Sequence, residues 1–182
     1  KSLTANDGRP AVVDIDPHGD IAVLQYTGGT TGRPRAVVLC HRNLVANAWQ
    51  LYHWSGRRTA KDTVLGLLPF FHSYGLTTVA MCGIAMQATL VLHHRFNPGH
   101  ALELFERHRP TVFPAVPTML VALNDELRRT GRRIRGLKHT ISGGAGLPID
   151  VADEFSDRSW SVVVEGYGLS EAGPGTHVGR SP

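Results

Sequence analysis

Ten consecutive positions, Tyr26-Thr27-Gly28-Gly29-Thr30-Thr31-Gly32-Arg33-Pro34-Arg35, hold three glycines, three threonines and two arginines. Glycines let a backbone approach an anion closely and bend where side chains would collide. Threonine hydroxyls and guanidinium forks supply hydrogen bonds and charge to phosphate oxygens. The combination suits a polyphosphate such as the tail of ATP, and a ligand-free glycine-rich hairpin is the bland alternative. The stretch is not a Walker A loop, because no Gly-Lys-Ser/Thr follows, and Gly-x-Gly-x-x-Gly cannot be laid over it.

Three further segments carry chemistry-bearing residues: Pro69-Phe70-Phe71-His72-Ser73-Tyr74-Gly75, Ser142-Gly143-Gly144-Ala145, and Glu165-Gly166-Tyr167-Gly168-Leu169-Ser170-Glu171. With the glycine–threonine loop, these resemble in order the motifs of the AMP-forming acyl-CoA synthetases, the adenylate-forming enzymes. They correspond to its phosphate-binding signature, its Pro-x-x-His motif, its adenine-side turn and its Gly-Tyr-Gly-x-Thr-Glu motif. The form beginning Leu24-Gln25-Tyr26 most resembles bacterial long-chain fatty-acid CoA ligases, and the likeness runs from about Asp20 to the end.

The resemblance implies a reaction and a set of roles. A carboxylate would attack the α-phosphate of ATP, pyrophosphate would leave, and the thiol of coenzyme A would then displace AMP. Bringing like-charged groups together is the main obstacle, so positioning and charge neutralisation carry catalysis. Thr30 and Thr31, with the amides of Gly28, Gly29 and Gly32, would hold the β- and γ-phosphates, bordered by Thr27 and Arg35. Arg35 stands where the family has lysine, keeping the charge on a larger fork. Ala36 stands where it has glycine. Glu171 would bind Mg²⁺, a hard cation suited to carboxylate oxygen. Ser170 would keep the family threonine's hydroxyl towards the α-phosphate. Tyr167 would stack on or flank adenine, with Gly143, Gly144, Ala145, Glu165, Gly166 and Gly168 lining the base. His72 either orients the carboxylate or is a satisfied, half-buried ring. Glu171 as a plain surface glutamate and Tyr167 as core packing are the corresponding bland alternatives.

Other function classes find less support. The 182 residues carry a net charge of +4, with 42% apolar and 19% charged residues, an ordinary soluble composition. No apolar run approaches the ~20 residues of a membrane span, and the first residues lack a signal-peptide core. A cytoplasmic location is the expectation. The basic stretch from Arg128 to Lys138 reads as a solvated helix end, a peripheral contact with an anionic membrane face, or a nucleic-acid surface. No nucleic-acid motif accompanies it, so no nucleic-acid partner is expected. Two cysteines, Cys40 and Cys82, are too few for a disulfide framework. Cys82 reads as core filling, and Cys40 as a weak helix cap. Adjacent His93 and His94 should point to opposite faces of a strand, and no Cys or His spacing matches zinc. The partners expected are small molecules: ATP, a fatty acid and coenzyme A. Oligomeric state is open.

Alternating apolar runs and helix-length segments must position these motifs. Strands are predicted over 21–25, 36–39, 62–68, 89–93, 111–116, 139–142 and 161–165. Helices are predicted over 41–53, 75–86, from Pro98 to about Arg109, 117–128 and 148–155. Leu120, Leu123 and Leu127 should share one helix side. The pattern predicts an α/β fold, a largely parallel sheet with flanking helices. Ligands in such sheets gather beyond the strands' carboxyl ends, where 143–145 and 166–168 should lie. No closing element is expected after the glutamate motif. Residues 1–182 are thus read as the central part of an adenylation domain, without the family's C-terminal lid. On that reading the chain alone is incomplete for ligation, and a non-catalytic nucleotide- or acyl-binding remnant, or a domain loading a carrier protein, remains an alternative.

Overall fold

A computed structural model describes residues 8–9, 12–27, 35–56 and 60–179. Two strands, β1 (Ile21–Thr27) and β2 (Arg35–Cys40), form an antiparallel hairpin in which Thr27 faces Arg35. The stretch that joins them, 28–34, lies outside the described residues. Directly after β2 runs α1 (His41–Trp54), which buries Leu44 and Ala48 and half-buries Leu51. At its start Asn43 Oδ1 accepts from the Cys40 amide at 2.9 Å and from the Cys40 thiol at 3.1 Å, so Asn43 caps the helix where the thiol itself is a poor acceptor.

The second sheet has six strands in the order β4-β3-β5-β6-β7-β8. They are β3 (Thr63–Gly66), β4 (Thr89–Leu92), β5 (Val112–Ala115), β6 (His139–Ser142), β7 (Val162–Gly168) and β8 (Gly175–Val178). The first five run parallel and β8 joins β7 antiparallel. All four residues of β5 are buried, as expected of a central parallel strand covered on both faces. Two expectations need correction here. β7 does not stop at Glu165 but continues through Gly168. β8 closes the sheet after the glutamate motif, where no element was expected.

The crossover after β3 is helical from Ser73 to Ala85, in three parts: α2 (Ser73–Gly75), a π-helical stretch Leu76–Met81, and α3 (Cys82–Ala85). The periodicity marked the helix but not its wider winding. Crossover α4 (Pro98–His108) begins with Asn97 Oδ1 accepting from the His100 amide at 3.0 Å, and Pro98 loses no needed donor there. Beyond β5, α5 (Pro117–Thr130) ends at Gly131 with φ of 67°, the left-handed turn glycine adopts readily. The last crossover is α6 (Ile149–Ser159), four residues longer at its end than the predicted helix.

The main core lies between the sheet and these helices. Leu120, Leu123 and Leu127 are all buried on one side of α5, as their spacing predicts, and Phe105 meets Phe113 edge-on at 5.1 Å. A smaller cluster, Val64, Val79, Cys82, Met86 and Val112, fills the sheet's other face. Cys82 is core filling, and burial pushes its thiol up to about 11. His93 and His94 fall just past β4 rather than on it. Their rings lie 4.7 Å apart instead of on opposite faces, and His93 also meets His100 at 4.5 Å.

Candidate functional site

The carboxyl ends of β6 and β7, the antiparallel β8 and the crossover after β3 meet in a cleft of about 180 Å³. His72, Ser73 and Tyr74 line one side, Gly143 and Gly144 another, and Gly166 to Ser170 a third. The joint between the first and last is a hydrogen bond between Ser73 Oγ and Ser170 Oγ, 3.0 Å, linking two motifs 97 positions apart. Ser73 itself is buried.

Each side chain has a local reason for its place. His72 caps α2, its Nδ1 accepting from the Tyr74 amide at 3.1 Å. An accepting Nδ1 puts the proton of the neutral ring on Nε2. The ring is exposed, so the half-buried alternative does not hold. Tyr74 turns inward and donates to the Ile141 carbonyl at 2.8 Å, and burial raises its phenol above the ordinary range. Gly143 packs so closely beneath it that an added Cβ would sit 3.1 Å from the Tyr74 ring and 3.3 Å from the Gly166 carbonyl. Gly168 is tighter still, since a Cβ there would lie 2.1 Å from the Pro174 carbonyl. That approach lets Leu169 donate to Pro174 at 2.9 Å and closes the turn carrying Ser170 and Glu171.

Tyr167 leaves the sheet 62% exposed, its ring beside His177 of β8 at 6.1 Å, so it offers an aromatic face instead of packing in the core. Glu165 is exposed and not among the cleft-lining residues. Its Oε1 accepts from the Leu147 amide at 2.9 Å, which holds the 143–147 turn against β7. Ala145 is exposed and not among the cleft-lining residues. Glu171 is exposed in the short helical turn Ser170–Ala172, next to the cleft rather than inside it.

Gly28, Gly29, Thr30, Thr31 and Gly32 lie outside the described residues, whereas the flanking Thr27 and Arg35 end β1 and begin β2. The hairpin is anchored at the cleft on two sides. Gln25 Nε2 donates to the Phe71 carbonyl at 3.0 Å, beside His72, and β2 packs against the 170–172 turn.

Several residues that line the cleft or hold its walls were missed in the sequence. Asn47 is buried on the apolar side of α1 and brackets Gly175, donating to its carbonyl at 2.7 Å and accepting from its amide at 3.0 Å. An asparagine between Leu44, Ala48 and Leu51 was the available clue. Thr77 donates to the Gly173 carbonyl at 3.1 Å from the same side. Leu51, Thr78, Ile141 and Val178 line the inner end of the cleft and also the next cavity, an apolar chamber reaching Trp54, Cys82 and Met86.

Among the described residues no three His, Cys, Asp or Glu side chains form a metal-binding group. One exposed carboxylate at Glu171 still fits Mg²⁺, which keeps several waters and takes one or two carboxylates plus substrate phosphates.

The basic stretch is largely neutralised within the fold. Arg128 pairs with Asp125 and with Glu154 at 2.7 Å, Arg129 with Glu126 at 2.7 Å, Arg132 with Glu106 at 2.6 Å and Lys138 with Asp62 at 3.5 Å. No helix among the described residues is long and apolar enough to cross a membrane.

Known proteins share this arrangement. A long-chain-fatty-acid–CoA ligase of Bacillus subtilis is 42% identical over 165 residues, 90% of this chain and 30% of the ligase. A 4-coumarate–CoA ligase of Oryza sativa is 36% identical over 176 residues, 94% of this chain and 31% of its own. Among solved structures, a long-chain-fatty-acid-CoA ligase from Archaeoglobus fulgidus superposes with a TM-score of 0.82 at 28% identity, covering 92% of this chain and 35% of that one. ATP-bound MatB from Rhodopseudomonas palustris gives 0.80 at 29%, covering 94% and 33%. The chain therefore spans about a third of the length of the relatives it matches. Residues 2–182 match the model of the AMP-binding enzyme family, and this chain belongs to that family.

Proposed function

We propose that the whole protein activates a fatty acid with ATP and Mg²⁺, forming an acyl-adenylate and then an acyl-coenzyme A. The supporting observation is the Ser73–Ser170 contact, which gathers His72, Ser170 and Glu171 around a single cleft floored by the 143–144 glycines. On this reading the acid enters the cleft beside His72, and His72 Nε2–H orients its carboxylate. Ser170 Oγ donates to the α-phosphate as the carboxylate attacks and pyrophosphate leaves. The exposed face of Tyr167 receives adenine, and Gly143 and Gly144 lie along it. The stretch Thr27 to Arg35, with Thr30 and Thr31, holds the outer phosphates. Glu171 would hold Mg²⁺, which when bound supplies charge neutralisation to the phosphates.

A fatty rather than an aromatic acid is favoured by the chamber behind the cleft. The chamber holds about 50 Å³, so an alkyl tail that enters past Thr78 and Val178 would have to displace the Cys82 and Met86 side chains. Each methylene buried there adds about 0.8 kcal/mol of binding. A domain that loads a carrier protein is distinguished by its acceptor.

Pyrophosphate release by the full-length protein, measured with ATP, Mg²⁺ and a panel of straight-chain and aromatic acids, tests the reading. Release should be greatest with straight-chain acids, and Glu171→Gln should lower it about 10²-fold with a weaker response to added Mg²⁺. No release with any carboxylate refutes the proposal, and preference for aromatic acids refutes its substrate.

A further inference from the structure

Away from the cleft, at the opposite end of the parallel strands, the residues leading into β5 and β6 enclose a second cavity of about 190 Å³. Its floor is apolar, made by Leu102, Phe105 and Ile134, each 2% exposed. Its rim is four arginines, Arg109, Arg132, Arg133 and Arg135, against one carboxylate, Glu106. Glu106 is already committed. Its two oxygens accept the Arg132 fork at 2.8 Å from Nε and 2.6 Å from Nη2. Arg133 is held by the Asp157 carbonyl at 3.0 Å and lies over the Trp160 ring at 5.5 Å. Among the described residues, the guanidiniums of Arg109 and Arg135 have neither an ion pair nor a hydrogen bond.

Arg109 reaches the rim from an unusual backbone. It ends α4 at φ 45°, ψ 55°, the left-handed turn that glycine takes without strain. A Cβ added at Gly136 would lie 3.7 Å from the Arg109 Cβ, so the chain that carries Arg135 runs close beside it. Two fixed cations, two uncommitted ones and an apolar floor thus share one concavity. Guanidinium forks match phosphate oxygens in pairs, and a greasy floor suits the organic body that bears a phosphate.

We propose that this cavity binds a phosphate-bearing ligand, separately from the nucleotide cleft. The site stands or falls independently of the ligase reading, because none of its residues lines that cleft. The shared chemistry is a phosphomonoester on a small apolar body, either a soluble molecule or a lipid headgroup.

The test compares the full-length protein with an Arg109→Gly/Arg135→Gln variant. Glycine at 109 removes a charge while easing the backbone, so the melting temperature should hold or rise. Calorimetric titration with phenyl phosphate at constant ionic strength reads the soluble source. Co-sedimentation with phosphatidylcholine vesicles, with and without phosphatidic acid, reads the lipid source. Binding in either arm, weakened about tenfold or more in the variant while acid-dependent pyrophosphate release is unchanged, supports the site and names its source. No binding in both arms, or equal binding by parent and variant, overturns it.

Discussion

Ser170 and Ser73 show how much a single hydroxyl pair can decide. Each lies in a motif whose types were readable, yet only their 3.0 Å contact makes the two motifs one site. In the proposed reaction Ser170 also serves the α-phosphate, so Ser170→Ala should lower kcat for pyrophosphate release about 10²-fold. The fold should lose only about 1 kcal/mol, the value of one ordinary hydrogen bond. A melting curve beside the kinetics separates the two effects, and a large fall in stability would make Ser170 a structural residue instead. His72 teaches the reverse lesson. Its type permitted a buried ring or an active one, and the local cap formed with the Tyr74 amide turns it outward with Nε2 as the free donor.

At the scale of elements, β8 is what α1 and β7 hold between them. Its backbone at Gly175 pairs with Asn47 of α1 through two hydrogen bonds, and its body pairs with β7. Asn47→Leu keeps the volume but strands a buried amide and carbonyl, at a cost of about 2–4 kcal/mol. Thermal or urea denaturation should record that loss, and an unchanged midpoint would show that α1 does not anchor β8. The same strand carries Val178 into the passage between cleft and chamber. Val178→Phe should narrow that passage, lowering kcat/KM for long straight-chain acids about tenfold or more while short acids are little affected. Equal effects on all acids would remove the chamber from the acyl path. β8 itself was illegible in the sequence. Gly175-Thr-His-Val is too short for a periodic pattern, and its partner β7 had to continue through Gly166 and Gly168, which were placed beyond the strand's end.

Over the whole molecule, ion pairs tie the helices that back the sheet. Arg128 of α5 reaches Glu154 of α6, and Arg132 after α5 reaches Glu106 of α4. Arg132 holds the Glu106 carboxyl below its ordinary range, and Arg129 does the same for Glu126. A carboxyl lowered by folding contributes stability above its unfolded pKa and loses it as pH falls through the folded one. The melting temperature should therefore fall as pH is taken from 6 to 3, and Arg132→Gln should flatten part of that fall. An identical pH profile in the variant would show that the Glu106 pair contributes nothing, as some exposed pairs do.

What the chain determines by itself is local: the strand and helix alternation, the helix start at Asn97-Pro98, the helix end at Gly131, the leucine side of α5, and the order of the family motifs. Those features are written in periods of two to four residues and in turn residues that restrict φ, so they survive without knowledge of distant partners. Tertiary structure alone decided that Ser73 meets Ser170, that Glu165 accepts from the Leu147 amide, that Asn47 grips Gly175, and that most of the basic stretch between 128 and 138 is paired. Each of these joins residues far apart in sequence, and sheet order and helix docking bring them together after local propensity has said all it can.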